Sequence, residues 1–432
     1  MKTRALASEL AGLGGQEVHL EGWVHRVRDL GGVRFMVLRD RSGQAQIVVP
    51  GEISLGAVNC EWVVAVDGHC RHESRAPAGV EVLARRVVPI CKAEQPPFDL
   101  FDPHAATRNR LDTLLEHRAL SLRLPDAQDV FRVQAVVLRA FRKYLRAQGF
   151  TEILTPKLVL AGAEGGSAIF EVRYFERSAY LAQSPQFYKQ MMVGSGLERV
   201  FEVGHVYRAE KSETSRHLTE YVSLDFEMAF VESEQDVMAV HTGLIAAIFA
   251  AVKEQCSEVL RKRRVEIPDF AEIPQVSFSE ARRILSEQFS KTDGLNGDLD
   301  TEGEQLICEW AARELASELL YVTGYHIEKR PFYTMPNAEA PPQTRSFDLL
   351  FRGVEITTGG QRIHDHDQLV ASIRSRSLEP GHFEGYFEAF EHGMPPHGGM
   401  GMGIERLLKQ MLHLDNIREA CAFPRDRHRL SP

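Results

Sequence analysis

The sequence predicts an α+β protein in which a small antiparallel β-barrel precedes a larger antiparallel sheet flanked by helices. Two observations lead to this prediction. Five short strand-like runs, separated by Gly and polar turns, fill residues 18–92 of the 432-residue chain. Further along, several strand-like runs follow one another without an intervening helix, which favours an antiparallel sheet over a doubly wound parallel one.

The N-terminal runs are typical of a closed five-stranded barrel. They read "VHLEGWVHRV", "VRFMVLRD", "AQIVV", "EWVVAVDGHC" and "VEVLARRVVPI", with turns such as "DLGG" and "DRSG" between them. Five short strands within this length favour the OB type of barrel, with a small β-sandwich as the alternative. We therefore predict a barrel domain over residues 1–98.

A linker and a helix are expected next. The segment "KAEQPPFDLFDPHAATRNRLD" contains three prolines and mixed charge, which indicates a hinge over 99–128. A helix should begin near Asp126 and stop at Gly149. Its apolar residues recur every three or four positions, at Val130, Val133, Val137, Phe141 and Leu145. Residues 129–432 then form the second predicted domain.

The second domain should combine strands with one long buried helix. The strand candidates are "TEILTP", "RVFEVGHVYRAE", "YVSLDFEMAFV", "RSFDLLFRGVEITTGG" and "YFEAFEHG". The apolar window "VMAVHTGLIAAIFAAV", Val237–Val252, is shorter than the roughly 20 residues of a membrane span and contains His241. A core helix is therefore expected here, with no membrane association.

Charge and cysteine content restrict the partners and the surroundings. The net charge of −9 argues against indiscriminate binding of nucleic acid, and the first hundred residues are neutral, with 12 basic and 12 acidic residues. Local basic clusters would therefore hold any nucleic-acid partner. The six cysteines form no CxxC pair, so neither a structural zinc site nor a disulfide framework is indicated, and a reducing cytoplasm fits.

Charged residues alternate along several of the predicted strands. Alternation places Arg208 with Glu210, and also Asp225 with Glu227, on shared strand faces. The run "FDLLFRGVEITTGGQR" adds Asp348, Glu355, Thr357 and Arg362. Because an unpaired buried charge is strongly destabilising, this face must either meet solvent, with cross-strand ion pairs, or line a ligand site.

The segment "PHGGMGMGIERLL" favours a ligand site. Glycines at 398, 399, 401 and 403 allow a ligand to approach the backbone, and Arg406 lies in the first turn of the helix that follows. A helix N-terminus attracts anions, whereas a cation there opposes the helix dipole, which indicates an external anion. Neither a GxGxxG fingerprint nor a P-loop is present, so ATP would need another scaffold.

Taken in order, these segments resemble the class II aminoacyl-tRNA synthetases, specifically aspartyl-tRNA synthetases of the compact archaeal type. "GFTEILTPKL", with Pro156, resembles motif 1; "VYRAE", "RHLTEY" and "DFEM" resemble motif 2; and "GMGIERL" resembles motif 3. "EGGS", "QSPQFYKQ" and "GVEITTGGQRIH" are similar to the aspartate-specific segments. The resemblance covers essentially the whole chain. It implies an anticodon-binding OB-fold barrel, a class II catalytic domain and, through motif 1, a homodimer.

The resemblance implies roles for residues of an ATP site. Arg208 would contact the α-phosphate as the aspartate carboxylate attacks, and Glu210 would accept from the adenine amino group. Arg216 and Arg406 would hold the β- and γ-phosphates. Glu355, with Thr358 close by, would bind the Mg²⁺ that bridges phosphate oxygens. The predicted catalytic residues are Arg208, Glu355 and Arg406, and the predicted ATP-binding set is Arg208, Glu210, Arg216, His217, Leu218, Glu355, Gly403, Ile404, Glu405 and Arg406.

The resemblance also implies an aspartate site. Lys189 and Arg362 would bind the side-chain carboxylate, and Glu164 would lie in a loop that closes over the amino acid. The set is completed by Ser184, Gln186, Arg208 and Thr358. From the residues alone, a solvated helix position for Lys189 and an ordinary polar loop around Glu164 stay open as alternatives.

The implied reaction has two steps. Aspartate and ATP give aspartyl-adenylate and pyrophosphate, and the terminal ribose hydroxyl of tRNA then takes the aspartyl group. Such a reaction depends on positioning and charge neutralisation and needs no protein nucleophile. Three alternatives remain. An asparaginyl-tRNA synthetase would not need the cation pair Lys189 and Arg362, and an asparagine-forming paralogue usually lacks the barrel. In a non-enzymatic RNA-binding paralogue, we would expect Arg208, Glu355 or Arg406 to be lost. All three residues are present.

Within the barrel, "GWVHRVRDLGGVRFMVLRDRSGQAQIVV" resembles the anticodon-binding segment. Phe35 would stack on a base, unless it is barrel core, and Arg28 and Gln46 would bond base edges. His25 with Pro77 resembles the relaxed subgroup that also charges tRNA(Asn), because a smaller ring and a lost cation relax rejection of a different third anticodon base. The predicted partners are therefore tRNA(Asp), tRNA(Asn), ATP and L-aspartate.

Overall fold

The computed structural model describes residues 3–29, 33–54, 58–100, 109–160, 168–210 and 214–431. The chain forms two compact units, Met1–Pro125 and Asp126–Pro432. The segment expected to be a hinge, 99–128, is partly helical. It contains α1 (Leu111–Glu116) and α2 (Arg118–Ser121), and the first of these buries two leucines.

The first unit contains the predicted five-stranded barrel. Its strands are β1 (Glu17–Asp29), β2 (Val33–Asp40), β3 (Gly43–Pro50), β4 (Val63–His72) and β5 (Val80–Cys91). They close in the order β1-β2-β3-β5-β4, so the sandwich alternative is wrong. Alternate residues face inward, and the barrel core includes Val24, Met36, Leu38, Ile47 and Val66.

The second unit is built on an eight-stranded sheet. Its order is β12-β13-β14-β15-β16-β11-β10-β6, and only the two outermost pairs are parallel. The strands are β6 (Thr151–Glu152), β10 (Arg199–Tyr207), β11 (Glu220–Ala229), β12 (Gln275–Ser277), β13 (Leu319–Thr323), β14 (Ser346–Phe351), β15 (Val354–Arg362) and β16 (His397–Gly403). A smaller sheet comprises β7 (Leu158–Val159), β8 (Glu171–Tyr174) and β9 (Arg177–Leu181).

Helices accompany this sheet: α3 (Pro125–Ala147), α4 (Gln186–Met192), α5 (Glu234–Gln255), α6 (Ser257–Arg263), α7 (Phe278–Phe289), α8 (Thr301–Glu314), α9 (His366–Ser375), α10 (Glu384–Glu391) and α11 (Ile404–Met411). Helix α3 starts within a residue of its predicted position, and all five of its predicted apolar positions are buried. By length and composition alone α5 could pass for a membrane span. Val237, Leu244 and Ile248 of α5 nevertheless belong to the main core, as predicted.

One segment differs from the sequence-based assignment, and another received none. "YFEAFEHG" is not a strand but most of α10, because Tyr386, Phe387 and Phe390 recur at helical spacing and all three are buried. The glycine-rich "HGGMGMG", to which no strand was assigned from the sequence, is a central strand, β16. Glycine has low strand propensity, so only the paired neighbours on both sides explain this strand.

Candidate active site

The central strands of the large sheet have one apolar face and one polar face. On β11, Leu224, Phe226 and Met228 pack into the main core. The alternate residues Asp225 and Glu227 pair with Gly401 and Gly399 of β16 on the opposite face. That polar face lines a cleft of about 460 Å³, so the charges do not form an open solvated surface.

The glycines of β16 make room for the carboxylates of β11. A Cβ atom on Gly399 would lie 2.3 Å from Oε2 of Glu227 and 2.2 Å from the carbonyl oxygen of Phe226. A Cβ atom on Gly401 would lie 3.1 Å from Oδ1 of Asp225. The absence of side chains on this strand therefore keeps the floor of the cleft open.

At one end of the cleft, two cations meet two carboxylates. Lys189 Nζ lies 3.1 Å from Asp225 Oδ1 and 3.3 Å from Glu227 Oε2. Arg362 Nε donates to Glu227 Oε1 at 3.0 Å, and Nη2 donates to the carbonyl oxygen of Gly399 at 2.9 Å. Lys189 is only 2% exposed, so the solvated alternative for this residue is wrong.

These cations keep a fully buried carboxylate ionised. Burial by itself would raise the pKa of Glu227, but Arg362 and Lys189 together hold it below its usual value. Gln186 Nε2 also lies 3.4 Å from Glu227 Oε2, and Ser184 lines the same end of the cleft. Glu164 lies outside the described residues.

Another part of the cleft is lined by residues of the segment between β10 and β11. Arg208 lies over the ring of Tyr221, with 6.0 Å between its guanidinium carbon and the ring centroid. Arg208 Nη1 is 3.9 Å from Glu210 Oε1, and His217 Nε2 is 3.7 Å from Glu210 Oε2. Burial lowers the pKa of His217 despite Glu210, which favours a neutral ring. Leu218 completes this part of the cleft.

Glu355 lies among the arginines of the cleft. Its Oε2 is 3.4 Å from Arg406 Nη1, which also donates to the Glu355 carbonyl oxygen at 3.0 Å. Burial would raise the pKa of Glu355, but Arg406 and then Arg330 keep it lowered. Thr358 Oγ1 accepts from Arg330 Nη1 at 3.0 Å. An ionised carboxylate and a hydroxyl of β15 thus both line the cleft.

Two buried groups beside Glu355 were not found from the sequence. Arg330 forms a two-pronged ion pair with Asp348, at 2.9 and 2.6 Å. Glu304, on α8, pairs with Arg216 and accepts from the Glu355 backbone N–H at 2.9 Å. Burial raises the pKa of Glu304 to about 7, and Glu355 contributes to this shift. The acidic run "DLDTEGE" indicates a helix start, but nothing in it points to the cleft.

The predicted residues at the start of α11 divide between the cleft and the core. Gly403 and Glu405 line the cleft, whereas Ile404 lies fully buried in the main core. Its apolar side chain is therefore a packing group, and the place of Ile404 in the ATP site stays a prediction. Glu405 accepts from the Val222 backbone N–H at 3.1 Å, and burial raises its pKa to about 7.

In the first unit, the predicted anticodon residues Arg28, Phe35 and Gln46 lie on the outer side of β1, β2 and β3. Phe35 pairs with Arg28 across one neighbour and with Val48 across the other. It is half-buried and not part of the barrel core, so the core alternative is wrong. Gln46 lies two residues from Val48 and donates to Oε2 of buried Glu81 at 2.9 Å, a contact that the sequence did not reveal.

His25 occupies an irregularity in the pairing of β1 with β2. The register shifts between Val24 and Arg26, so His25 is the extra residue of a bulge. Its Nδ1 lies 3.3 Å from Nη1 of Arg39. Pro77 begins a short 3₁₀ turn, Pro77–Gly79, between β4 and β5.

Comparison with known proteins identifies the family. Residues 110–427 match the model of class II tRNA synthetases (D, K and N), and residues 18–90 match the OB-fold nucleic acid binding domain. The chain therefore belongs to the class II aminoacyl-tRNA synthetases, which are ATP-dependent ligases.

Within this family the chain belongs to the aspartate–tRNA ligases. It is 47% identical over 431 residues to the aspartate–tRNA(Asp/Asn) ligase of Thermus thermophilus, covering 99% of this chain and 100% of that one. It is 45% identical to the Deinococcus radiodurans aspartate–tRNA(Asp/Asn) ligase, covering 99% of each chain. Identity to the aspartate–tRNA(Asp) ligase of Pyrococcus abyssi is 42%, with 97% of each chain covered.

Solved structures agree with this assignment. The asparaginyl-tRNA synthetase of Pyrococcus horikoshii, complexed with asparaginyl-adenylate, matches over 100% of both chains with a TM-score of 0.93 and 30% identity. The aspartyl-tRNA synthetase of Entamoeba histolytica matches with a TM-score of 0.87 and 29% identity, covering 100% of this chain and 93% of that one. Aspartyl and asparaginyl enzymes thus share this fold, and the residues of the site must distinguish them.

Proposed function

We propose that the cleft converts L-aspartate and ATP to aspartyl-adenylate, and that the protein transfers the aspartyl group to tRNA(Asp) and also to tRNA(Asn). The observation that carries this proposal is the buried pair of cations, Lys189 and Arg362, at one end of the cleft. A substrate carboxylate suits two buried cations, whereas the neutral amide of asparagine does not need them.

The cleft residues divide into two groups in this proposal. Lys189 and Arg362 bind the side-chain carboxylate of aspartate, and Ser184, Gln186, Thr358 and Glu164 complete that end. Glu210, His217, Leu218, Gly403 and Glu405 surround the nucleotide. Arg208 neutralises the charge that develops on the α-phosphate as the aspartate carboxylate attacks, and Arg216 and Arg406 hold the outer phosphates.

Magnesium fits the oxygen groups of Glu355 and Thr358. Mg²⁺ is commonly held by one or two protein oxygens together with substrate phosphates and water, so a larger protein cage is not required. The described residues contain no cluster of three or more His, Cys, Asp or Glu that could form such a cage. When bound, the metal would supply charge neutralisation between neighbouring phosphates. Glu355 stays ionised through Arg406 and Arg330 and is ready to bind a cation.

The barrel, over 1–98, is the proposed anticodon-binding domain, with 99–128 as the connection and 129–432 as the catalytic domain. Phe35 stacks on a base while Arg28 and Gln46 bond base edges. His25 and Pro77 relax the choice of the third anticodon base. The Asp/Asn names of the Thermus thermophilus and Deinococcus radiodurans relatives support this dual specificity.

A homodimer in the cytoplasm completes the proposal. Apolar side chains are exposed in and beside "GFTEILTPKL": Leu154 is 88% exposed and Leu160 is 74% exposed. Exposed apolar clusters of this kind mark protein interfaces, which agrees with a second subunit at this segment.

Charging assays with purified tRNA(Asp) and tRNA(Asn), each supplied with aspartate or asparagine, test the proposal. Aspartate should be attached to both tRNAs. Preference for asparagine would contradict the argument from the cation pair. Failure to charge tRNA(Asn) with aspartate would contradict only the proposed role of His25 and Pro77, not the proposed activity.

A further inference from the structure

Glu304 lies behind the cleft, on a helix that none of the three class II motifs contains. It is 8% exposed, and α8 brings it beside the start of β15. A single carboxylate oxygen, Oε2, accepts from Arg216 Nη2 and from the backbone N–H of Glu355. This oxygen therefore joins the segment between β10 and β11 to the strand that carries Glu355.

Arg216 is anchored on one side only. Its Nη2 is held by Glu304, but Nε and Nη1 are buried and have no hydrogen-bond partner among the described residues. Arg216 lines the cleft, whereas Glu304 does not. The guanidinium group is thus held by Glu304 at one edge, while Nε and Nη1 remain without a partner in the part of the chain that the structure describes. Planar arginine forks bind phosphate oxygens with such free donors.

We propose that Glu304 is a positioning residue for adenylate formation, which holds Arg216 at a fixed distance from Glu355 so that both meet the triphosphate in one geometry. The inference rests on the proposed function, because it takes Arg216 as the phosphate ligand. An anchored arginine loses less conformational freedom when ATP binds, so ATP binds more tightly. Glu304 touches neither ATP nor aspartate and acts through Arg216.

Steady-state ATP–pyrophosphate exchange tests the proposal with the full-length protein. The variants are E304Q, R216A and the double variant, with E302Q as the matched control. Glu302 lies on the same helix but pairs with Lys291. E304Q should raise KM for ATP by about tenfold, the size of one hydrogen bond to a charged group, and leave KM for aspartate nearly unchanged. E302Q should behave as wild type, because the Glu302 side chain is exposed and Lys291 keeps its ion pair with Asp300.

The double variant separates positioning from a general structural role. If Glu304 acts through Arg216, the double variant should be no worse than R216A alone. E304D, which keeps the charge but shortens the reach, should show the same selective increase in KM for ATP even if E304Q fails to fold. Equal increases in both KM values, independent effects of the two substitutions, or wild-type kinetics for E304Q and E304D would overturn the proposal. Wild-type protein without aspartate-dependent exchange would overturn the proposed function itself.

Discussion

At the amino-acid end of the cleft, the charges of Lys189 and Arg362 balance those of Asp225 and Glu227. Asp225 Oδ2 is buried and has no hydrogen-bond partner among the described residues. The ammonium group of a bound amino acid can therefore pair with the carboxylates of this set, and its carboxylate groups can pair with the cations. This balance reduces the desolvation penalty of placing so many charges below the surface.

Replacing Arg362 by Lys tests the geometry of the carboxylate site. The variant R362K keeps a positive charge beside Glu227 but loses the planar fork. We expect kcat/KM for aspartate to fall by about 10- to 100-fold, the effect of one or two charge-assisted hydrogen bonds, with KM for ATP little changed. Pyrophosphate exchange at varied aspartate and ATP measures both. An equal loss for both substrates would contradict a site specific for the amino acid.

Glu405 should make stability depend on pH. Its pKa is about 7 in the folded protein, against a usual value of 4.5, so the folded state binds the proton more tightly. Its contribution is therefore fully present below about pH 4.5 and is lost as pH rises through 7. The variant E405Q keeps an acceptor for Val222, and its stability relative to wild type should rise between pH 5 and 8 by up to roughly 3 kcal/mol. Urea unfolding at several pH values measures the free energy of unfolding of both proteins. If the two proteins showed the same dependence on pH, the prediction for Glu405 would be contradicted.

For individual residues, the sequence was sufficient to place those that lie on regular strands. Alternation along β11 was enough to place Asp225 and Glu227 on one face, opposite Leu224 and Phe226. Glu304 could not be found in this way, because its contacts with Arg216 and Glu355 join segments 88 and 51 residues apart. Sequence periodicity holds no information on such distant pairs.

Among the secondary-structure elements, β16 has the strongest influence on the shape of the cleft. Its glycines pair with β11 on one side and β15 on the other, where side chains would collide with the carboxylates. The glycines of β16 are therefore needed because the neighbouring strand β11 carries the carboxylates Asp225 and Glu227. This explains why the sequence did not reveal the strand: its glycine-rich composition opposes a strand, and tertiary pairing overrides that preference.

Adding one methyl group to β16 tests this role. In G399A, the new Cβ atom would lie 2.3 Å from Glu227 Oε2. We expect a loss of about 1–3 kcal/mol in the free energy of unfolding, as for other overpacked sites. In G403A, the nearest atoms would be 4.0 Å from the Cβ atom, so this variant is the stability control. Urea unfolding compares the free energies of unfolding of G399A and G403A. Equal values for the two variants would contradict the steric argument.

The element that the sequence misassigned, α10, shows the limit of short patterns. Its apolar residues Tyr386, Phe387 and Phe390 fit a strand in a window of eight residues. Their burial together against Phe187 and Phe383, in a separate aromatic cluster, requires a helix. Of the longer elements, α3 was predicted correctly because its periodicity extends over several turns, and α5 because its apolar window is too short for a membrane span.

On the scale of the whole molecule, the two units have separate chemical properties. The barrel presents a half-buried aromatic ring, Phe35, on its outer face, with Arg28 on one neighbouring strand and Val48 on the other. The larger unit contains the charged cleft. Recognition of tRNA by the barrel and activation of the amino acid in the cleft should therefore respond to different substitutions.

A barrel variant should affect only the transfer to tRNA. We expect F35A to lower kcat/KM for tRNA(Asp) by about 10- to 100-fold, the effect of losing one stacked base, while pyrophosphate exchange stays at the wild-type rate. I90A, which shortens another exposed apolar side chain of the barrel, should leave both activities unchanged. Charging and exchange assays on the same preparations measure the difference. Loss of exchange in F35A would contradict separate roles for the two units.

The central claim is that one polar sheet face binds ATP and an acidic amino acid together. The most direct test is ATP–pyrophosphate exchange by the wild-type protein with aspartate, with asparagine, and with no amino acid. The account predicts rapid exchange with aspartate and only background exchange in the other two reactions. Exchange that is faster with asparagine, or that does not depend on an amino acid, would contradict it.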